Sequence, residues 1–192
     1  LERPGFRIHL PPWVAGFLRR SPQVFDTDRE RMRLAVALAR ENVERRTGGP
    51  FGAAVFDENG RLVAPGMNLV MSSNCSILHA EIVAIALAQK NLGRYDIGDG
   101  GRSRYTLAAS AEPCAMCFGA VPWSGVARLV CGARGADARR IGFDEGPKPS
   151  GWRKALQARG IEVTRDVLRE EAVAVLALYV DMGGPIYNPQ RA

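Results

Sequence analysis

From Asp28 onward, apolar positions return at three- and four-residue steps: Met32, Ala35, Val36, Ala39 and Val43. That period places them on one face of a helix. Asp26 or Thr27 is placed to cap its start, and Thr47-Gly48-Gly49-Pro50 ends it. The pattern then shortens to strand length. "FGAAVFD" (51–57) and "RLVAPGMN" (61–68) flank Glu58-Asn59-Gly60, and Asn-Gly between apolar runs signals a hairpin. "NCSILHAEIVAIALAQ" (74–89) reads as a helix buried on most sides, with His79 and Glu81 near its start.

A short strand is predicted at 104–110, a short helix at 114–124 with Pro113 in its first turn, and a further strand at 126–133. Residues 136–149 read as loop. A helix at 151–159, a strand at 161–165 and a helix at 168–181 follow, before the loop-like tail "GGPIYNPQRA". Residues 1–27 carry four prolines and no clean period, so they are expected to form an irregular arm with one short helix near Trp13–Leu18. Strand–helix alternation implies parallel crossovers, and the hairpin adds an antiparallel pair. The expected architecture is one α/β domain (28–192), a mixed sheet between two helical layers.

Composition narrows the function classes. The chain has 192 residues and 46% hydrophobic residues, enough for a core. It lacks a run of about 18 apolar residues, so no membrane span is expected. The N-terminal stretch has no basic start followed by an apolar segment, so no secretory leader is expected and a cytoplasmic setting follows. The net charge of +6 invites a nucleic-acid reading, but the basic residues are scattered and interleaved with acids. A solvated Arg-rich surface accounts for them, and nucleic acid is not an expected partner. In a reducing compartment, Cys75, Cys114, Cys117 and Cys131 are left with metal binding, catalysis or burial.

Each chemical residue has a bland reading when taken alone. A single His in an apolar helix is commonly core, and Cys is among the most buried residue types. The combination changes this. His79-x-Glu81 opens one helix, and Pro113-Cys114-x-x-Cys117 opens another 35 residues after the His. This is the H-x-E…P-C-x-x-C pattern of zinc deaminases. One imidazole and two thiolates suit zinc and leave a fourth position for water, as a catalytic site requires. Cys114 and Cys117 lie one helical turn apart, and a helix N-terminus favours thiolate. A zinc-activated water is then expected to add to an amino-bearing ring carbon, with Glu81 moving its proton.

The sequence resembles the cytidine deaminase-like superfamily and, within it, the bacterial guanine deaminases. The resemblance runs from about Asp28 to Gly146 through "GGPFGAAV" (48–55), Asn68, "HAEIVAI" (79–85), "EPCAMCFGA" (112–120), Trp123 and "ADARRIGFDEG" (136–146). It implies a three-layer α/β/α fold with a five-stranded mixed sheet, one zinc ion per subunit and a homodimer. It also implies that Asn68 and the backbone of Ala80 bind the substrate ring, and that Phe51 and Trp123 line the pocket. Glu145 would be a second acid assisting amine departure, with Asp144 as the fallback. Tyr187 would be the aromatic residue of a C-terminal lid. The implied reaction is guanine to xanthine plus ammonia.

Three rival readings remain at this point. A tRNA adenosine deaminase shares the H-A-E and P-C-x-M-C pieces, but the acidic "GFDE" loop and the lack of a clustered basic face oppose it. A smaller amino-heterocycle, cytosine or an aminotriazine, would fit the same chemistry. An inert zinc-binding module is opposed by Glu81, since a structural site needs no general base.

Overall fold

The computed structural model describes residues 5–188; residues 1–4 of the arm and 189–192 of the tail lie outside the described residues. The arm contains α1 (Trp13–Arg19) and is tied to the body. Val14 and Phe25 are buried, Phe25 meets Phe56 edge-on at 5.2 Å, and the Trp13 indole N–H donates to Thr47 Oγ1 at 3.1 Å.

Helix α2 (Asp28–Glu44) starts with a reciprocal cap: Thr27 Oγ1 accepts from the Glu30 N–H, and the Glu30 carboxylate accepts from the Thr27 N–H. Strands β1 (Gly52–Phe56) and β2 (Leu62–Met67) form the antiparallel hairpin. Its turn is closed by the Asp57 carboxylate, which accepts from the N–H groups of Asn59 and Arg61, and by Gly60 at φ 75°. Then come α3 (Ala80–Leu92), β3 (Thr106–Ala111), α4 (Ala115–Ser124), β4 (Arg128–Ala133), α5 (Gly135–Arg140), α6 (Trp152–Gln157), β5 (Glu162–Thr164) and α7 (Arg169–Asp181).

The sheet order is β2-β1-β3-β4-β5, antiparallel across β2-β1-β3 and parallel across β3-β4-β5. Two cores follow from the pleat. Ala54, Phe56, Ala108 and Val130 face the layer of α2 and α7. Ala53, Val55, Leu107, Ala109 and Leu129 face α3, α4 and α6. This is the three-layer α/β/α arrangement expected. Two strand glycines let the layers close up. A Cβ on Gly66 of β2 would overlap the Ala80 carbonyl at the start of α3, and one on Gly52 of β1 would overlap the Ala35 carbonyl of α2. Among the described residues, no helix is long and apolar enough to cross a membrane.

Two elements differ from the expectation. The helix anticipated over 74–89 begins only at Ala80. Asn74 takes a left-handed φ of 46°, His79 is extended, and residues 71–78 form turns despite their apolar content. The stretch 136–149, expected as loop, carries α5 over its first residues. That helix has no apolar stripe to reveal it. Charge holds it instead: Asp137, 2% exposed, accepts the Arg134 N–H at 2.8 Å and two Arg169 guanidinium bonds at 2.9 and 2.8 Å.

The Arg169 hydrogen bonds outweigh burial and hold the Asp137 carboxyl at about 2, below its ordinary 3.8. Its folded value lies below its unfolded value, so the stabilisation is full above about pH 4 and is lost as pH falls through about 2. The shift corresponds to about 2 kcal/mol at neutral pH. D137N is therefore expected to lower unfolding free energy by up to about that amount, because the partly exposed Arg169 guanidinium keeps its pairing with Asp166. Urea unfolding at pH 7 and pH 3 checks this: the gap between wild type and variant should narrow at the lower pH.

Candidate active site

Two helix N-termini meet at the end of the sheet. His79 is the N-cap of α3 and Cys114 the N-cap of α4, both with extended backbone and neither using its side chain to cap its own helix. The chain leaves β3 through Glu112-Pro113 straight into Cys114, one helical turn before Cys117. Cys114 Sγ lies 3.4 Å and Cys117 Sγ 3.7 Å from His79 Nδ1, and the three donor atoms all lie within 4.8 Å of one another. A tetrahedral zinc with Zn–S near 2.3 Å and Zn–N near 2.0 Å has N···S edges of about 3.5 Å, so the residues fit the ion. They are three, which leaves one position for water.

The electrostatics suit a cation. Hydrogen bonding from Cys117, aided by His79, lowers the Cys114 thiol to about 4. The same Cys114 contact, together with burial, pushes Cys117 up. Burial would lower His79, but the Cys114 and Glu81 contacts outweigh it and raise the imidazole. Glu81 is buried two residues beyond His79, and desolvation pushes its carboxyl upward.

In front of these groups lies a cavity of about 340 Å³. Phe51, Asn68, His79, Glu81, Cys114, Asp144, Glu145 and Tyr187 line it. Asn68, 1% exposed, follows β2; its Oδ1 accepts from the Val70 N–H at 3.3 Å. Glu145 is buried, with Oε2 3.7 Å from Lys148 Nζ and without a hydrogen bond. Burial pushes its carboxyl up to about 7, and Lys148 opposes that rise. Asp144 sits at the exposed rim, where its Oδ1 accepts from the Gly146 N–H at 2.8 Å.

Phe51, Phe143 and Tyr187 form an aromatic wall, with centroids 5.1 Å apart for the first pair and 4.9 Å for the second. Tyr187 comes from the chain's own tail, and its buried hydroxyl makes no hydrogen bond. Asn188 fastens that tail: its Nδ2 donates to the Gly142 carbonyl at 2.7 Å, and its Oδ1 accepts from the Asp144 N–H at 2.9 Å.

One expected residue sits elsewhere. Trp123 is 82% exposed and does not line the cavity. At about 100° per residue, nine steps from Cys114 bring it to the opposite face of α4. Ala80 opens α3 next to His79 with its side chain buried, and the expectation there concerns its backbone.

Some residues escaped the sequence reading. Asn42 of α2, fully buried, donates from Nδ2 to the carbonyls of Gly49 and Asn68, each at 2.9 Å, and so sets the loop bearing Asn68. Its polarity within an apolar stripe was the signal. Phe143 lay inside the "GFDE" stretch without being singled out. Glu112, beside the Pro-Cys pair, is buried and accepts from Arg165 and from the Gly135 N–H.

Comparison with known proteins agrees with this geometry. Residues 25–133, over half the chain, match the family described as the cytidine and deoxycytidylate deaminase zinc-binding region. The chain is 40% identical to the guanine deaminase of Bacillus subtilis over 114 residues, 59% of this chain and 69% of that protein. It is 32% identical to the tRNA-specific adenosine deaminase of Haemophilus influenzae over 156 residues, 79% of this chain and 82% of that one. It also superposes on the solved guanine deaminase of Nitrosomonas europaea with a TM-score of 0.85 and 46% identity, covering 91% of this chain and 96% of that one. The chain therefore belongs to the cytidine deaminase-like family of zinc-dependent hydrolytic deaminases, and within that family it is similar to the bacterial guanine deaminases.

Proposed function

We propose that the protein deaminates the free base guanine to xanthine, with release of ammonia. The observation that carries this reading is the pair of buried carboxyls, Glu81 and Glu145, lining one small cavity. Guanine loses its amine from C2, between two ring nitrogens, so one acid serves the incoming water and the adjacent ring nitrogen while another serves the amine.

Bound zinc would supply Lewis acidity, giving a nucleophile from water at neutral pH. His79, Cys114 and Cys117 would hold it. Glu81 accepts the water proton and delivers it to the ring nitrogen beside C2. Glu145, kept protonated to about pH 7 by its burial, donates to the departing amine. Asn68 fixes the ring edge, and Phe51 and Tyr187 hold its faces. The backbone of Ala80 adds a polar contact to the ring, and Asp144 is the fallback for the second acid. Guanine and water are consumed, and xanthine and ammonia leave.

The tail supports a free base over a polynucleotide. Tyr187 and Asn188 line the cavity, and a strand threaded along that side of the site would have to displace them. The same reading includes a cytoplasmic homodimer with one zinc per subunit. The exposed apolar side chains of Met116 and Trp123 on α4 support a partner copy.

Ammonia release from guanine, cytosine, adenosine, an oxo-aminotriazine and tRNA tests the proposal. Guanine is expected to give the highest kcat/KM. A higher value for tRNA, or zinc-loaded protein that leaves guanine intact, would overturn it.

A further inference from the structure

We propose that Lys148 is a positioning residue that pins the loop carrying Glu145 against the turn that presents Cys114; this rests on the reading of Glu145 as the second acid. A buried ammonium is costly unless it is paired and hydrogen-bonded. The Lys148 side chain is 8% exposed, and its Nζ donates to the Pro113 carbonyl at 2.8 Å. Pro113 immediately precedes Cys114, so this bond ties the 142–149 loop to the β3–α4 junction. The Ala115 N–H, one residue past Cys114, donates to the Glu145 carbonyl at 2.8 Å and repeats the tie on backbone atoms.

The charges indicate which carboxylate Lys148 serves. Its Nζ lies 3.7 Å from both Glu112 Oε2 and Glu145 Oε2. Glu112 is already neutralised by the Arg165 guanidinium and takes the Gly135 N–H as well. Glu145 Oε2 has no hydrogen bond. Lys148 is therefore redundant at Glu112, whereas at Glu145 it stands beside an oxygen that has no hydrogen bond. The backbone leaves room for the pair: a Cβ on Gly135 would lie 3.0 Å from Glu145 Oε2 and 3.2 Å from Lys148 Nζ. The face of Trp152 covers the ammonium, 5.0 Å from ring centroid to Nζ, and keeps water from replacing these contacts.

A double-mutant cycle on the zinc-loaded protein tests this with K148M, E145Q and the double variant. K148M is expected to lower kcat on guanine by about 10- to 100-fold, the scale of a misplaced catalytic group, with a smaller change in KM and unchanged zinc content. In the E145Q background the same substitution should cost less than about twofold, because residues acting through one another are not additive. An equal loss in both backgrounds would overturn the proposal, as would a K148M enzyme of normal kcat. E145Q alone reads the underlying assignment: normal kcat there removes Glu145 from the reaction and the proposal with it. Amide hydrogen exchange gives a readout that does not need turnover. The Ala115 amide should exchange about tenfold faster in K148M, as a local opening made easier. Unchanged protection in K148M, or in K148Q should the methionine variant fold poorly, would overturn the pinning role.

Discussion

E81Q is expected to retain its full zinc content and to lose about 10²- to 10⁴-fold in kcat, the usual contribution of a positioned proton-transfer group. The two effects separate because Glu81 stands beside the metal-binding set without belonging to it: the donors within reach of one another are His79 Nδ1 and the two sulfurs. Glutamine keeps the shape of the side chain and cannot carry the proton. The variant should also remain folded. The packing at this buried position is kept, because the amide fills the same space as the carboxyl. Zinc analysis by atomic absorption, thermal unfolding and guanine turnover on one preparation check all three. Near-normal kcat would remove Glu81 from its role.

C114A and H79A should each lose zinc and lower activity to background, a drop larger than that of E81Q because the nucleophile itself is no longer generated. Wild-type enzyme stripped by a chelator should behave the same way and recover on addition of zinc. Binding needs deprotonated sulfur, so the loading affinity should fall with acid. C75S is the control. Cys75 is half-buried and is not part of the donor cluster, so that variant should keep both metal and activity. Zinc loss from C75S would mean that a fourth protein ligand closes the site, which would fit a structural ion better than a catalytic one.

The chemistry was legible where it is local. His79-x-Glu81 and Cys114-x-x-Cys117 each occupy one turn at a helix N-terminus, so spacing alone brings their side chains together. The hairpin at Asn59-Gly60 and the alternation of strands and helices gave the sheet for the same reason. What escaped is held by contacts remote in sequence. Asn42 supports Asn68 across 26 positions, and Lys148 reaches Pro113 across 35. No pattern within one segment announces such pairs. Helix α5 was hidden because ion pairs rather than an apolar stripe hold it. The stretch 74–78 misled in the opposite direction: its apolar residues Ile77 and Leu78 suit a helix, but left-handed Asn74 and the extended His79 prevent one. Resemblance placed Trp123 in the pocket, whereas simple helical phase carries it to the outer face.

The bare Cα of Gly66 has a consequence for anyone wishing to transplant this chemistry. With no side chain there, the first turn of α3, which carries Glu81 and follows His79, can rest directly on β2. A host scaffold given the four reactive residues but an alanine at this position would hold that turn off the strand. Copying the blueprint therefore means copying an empty space as well as the functional groups around it.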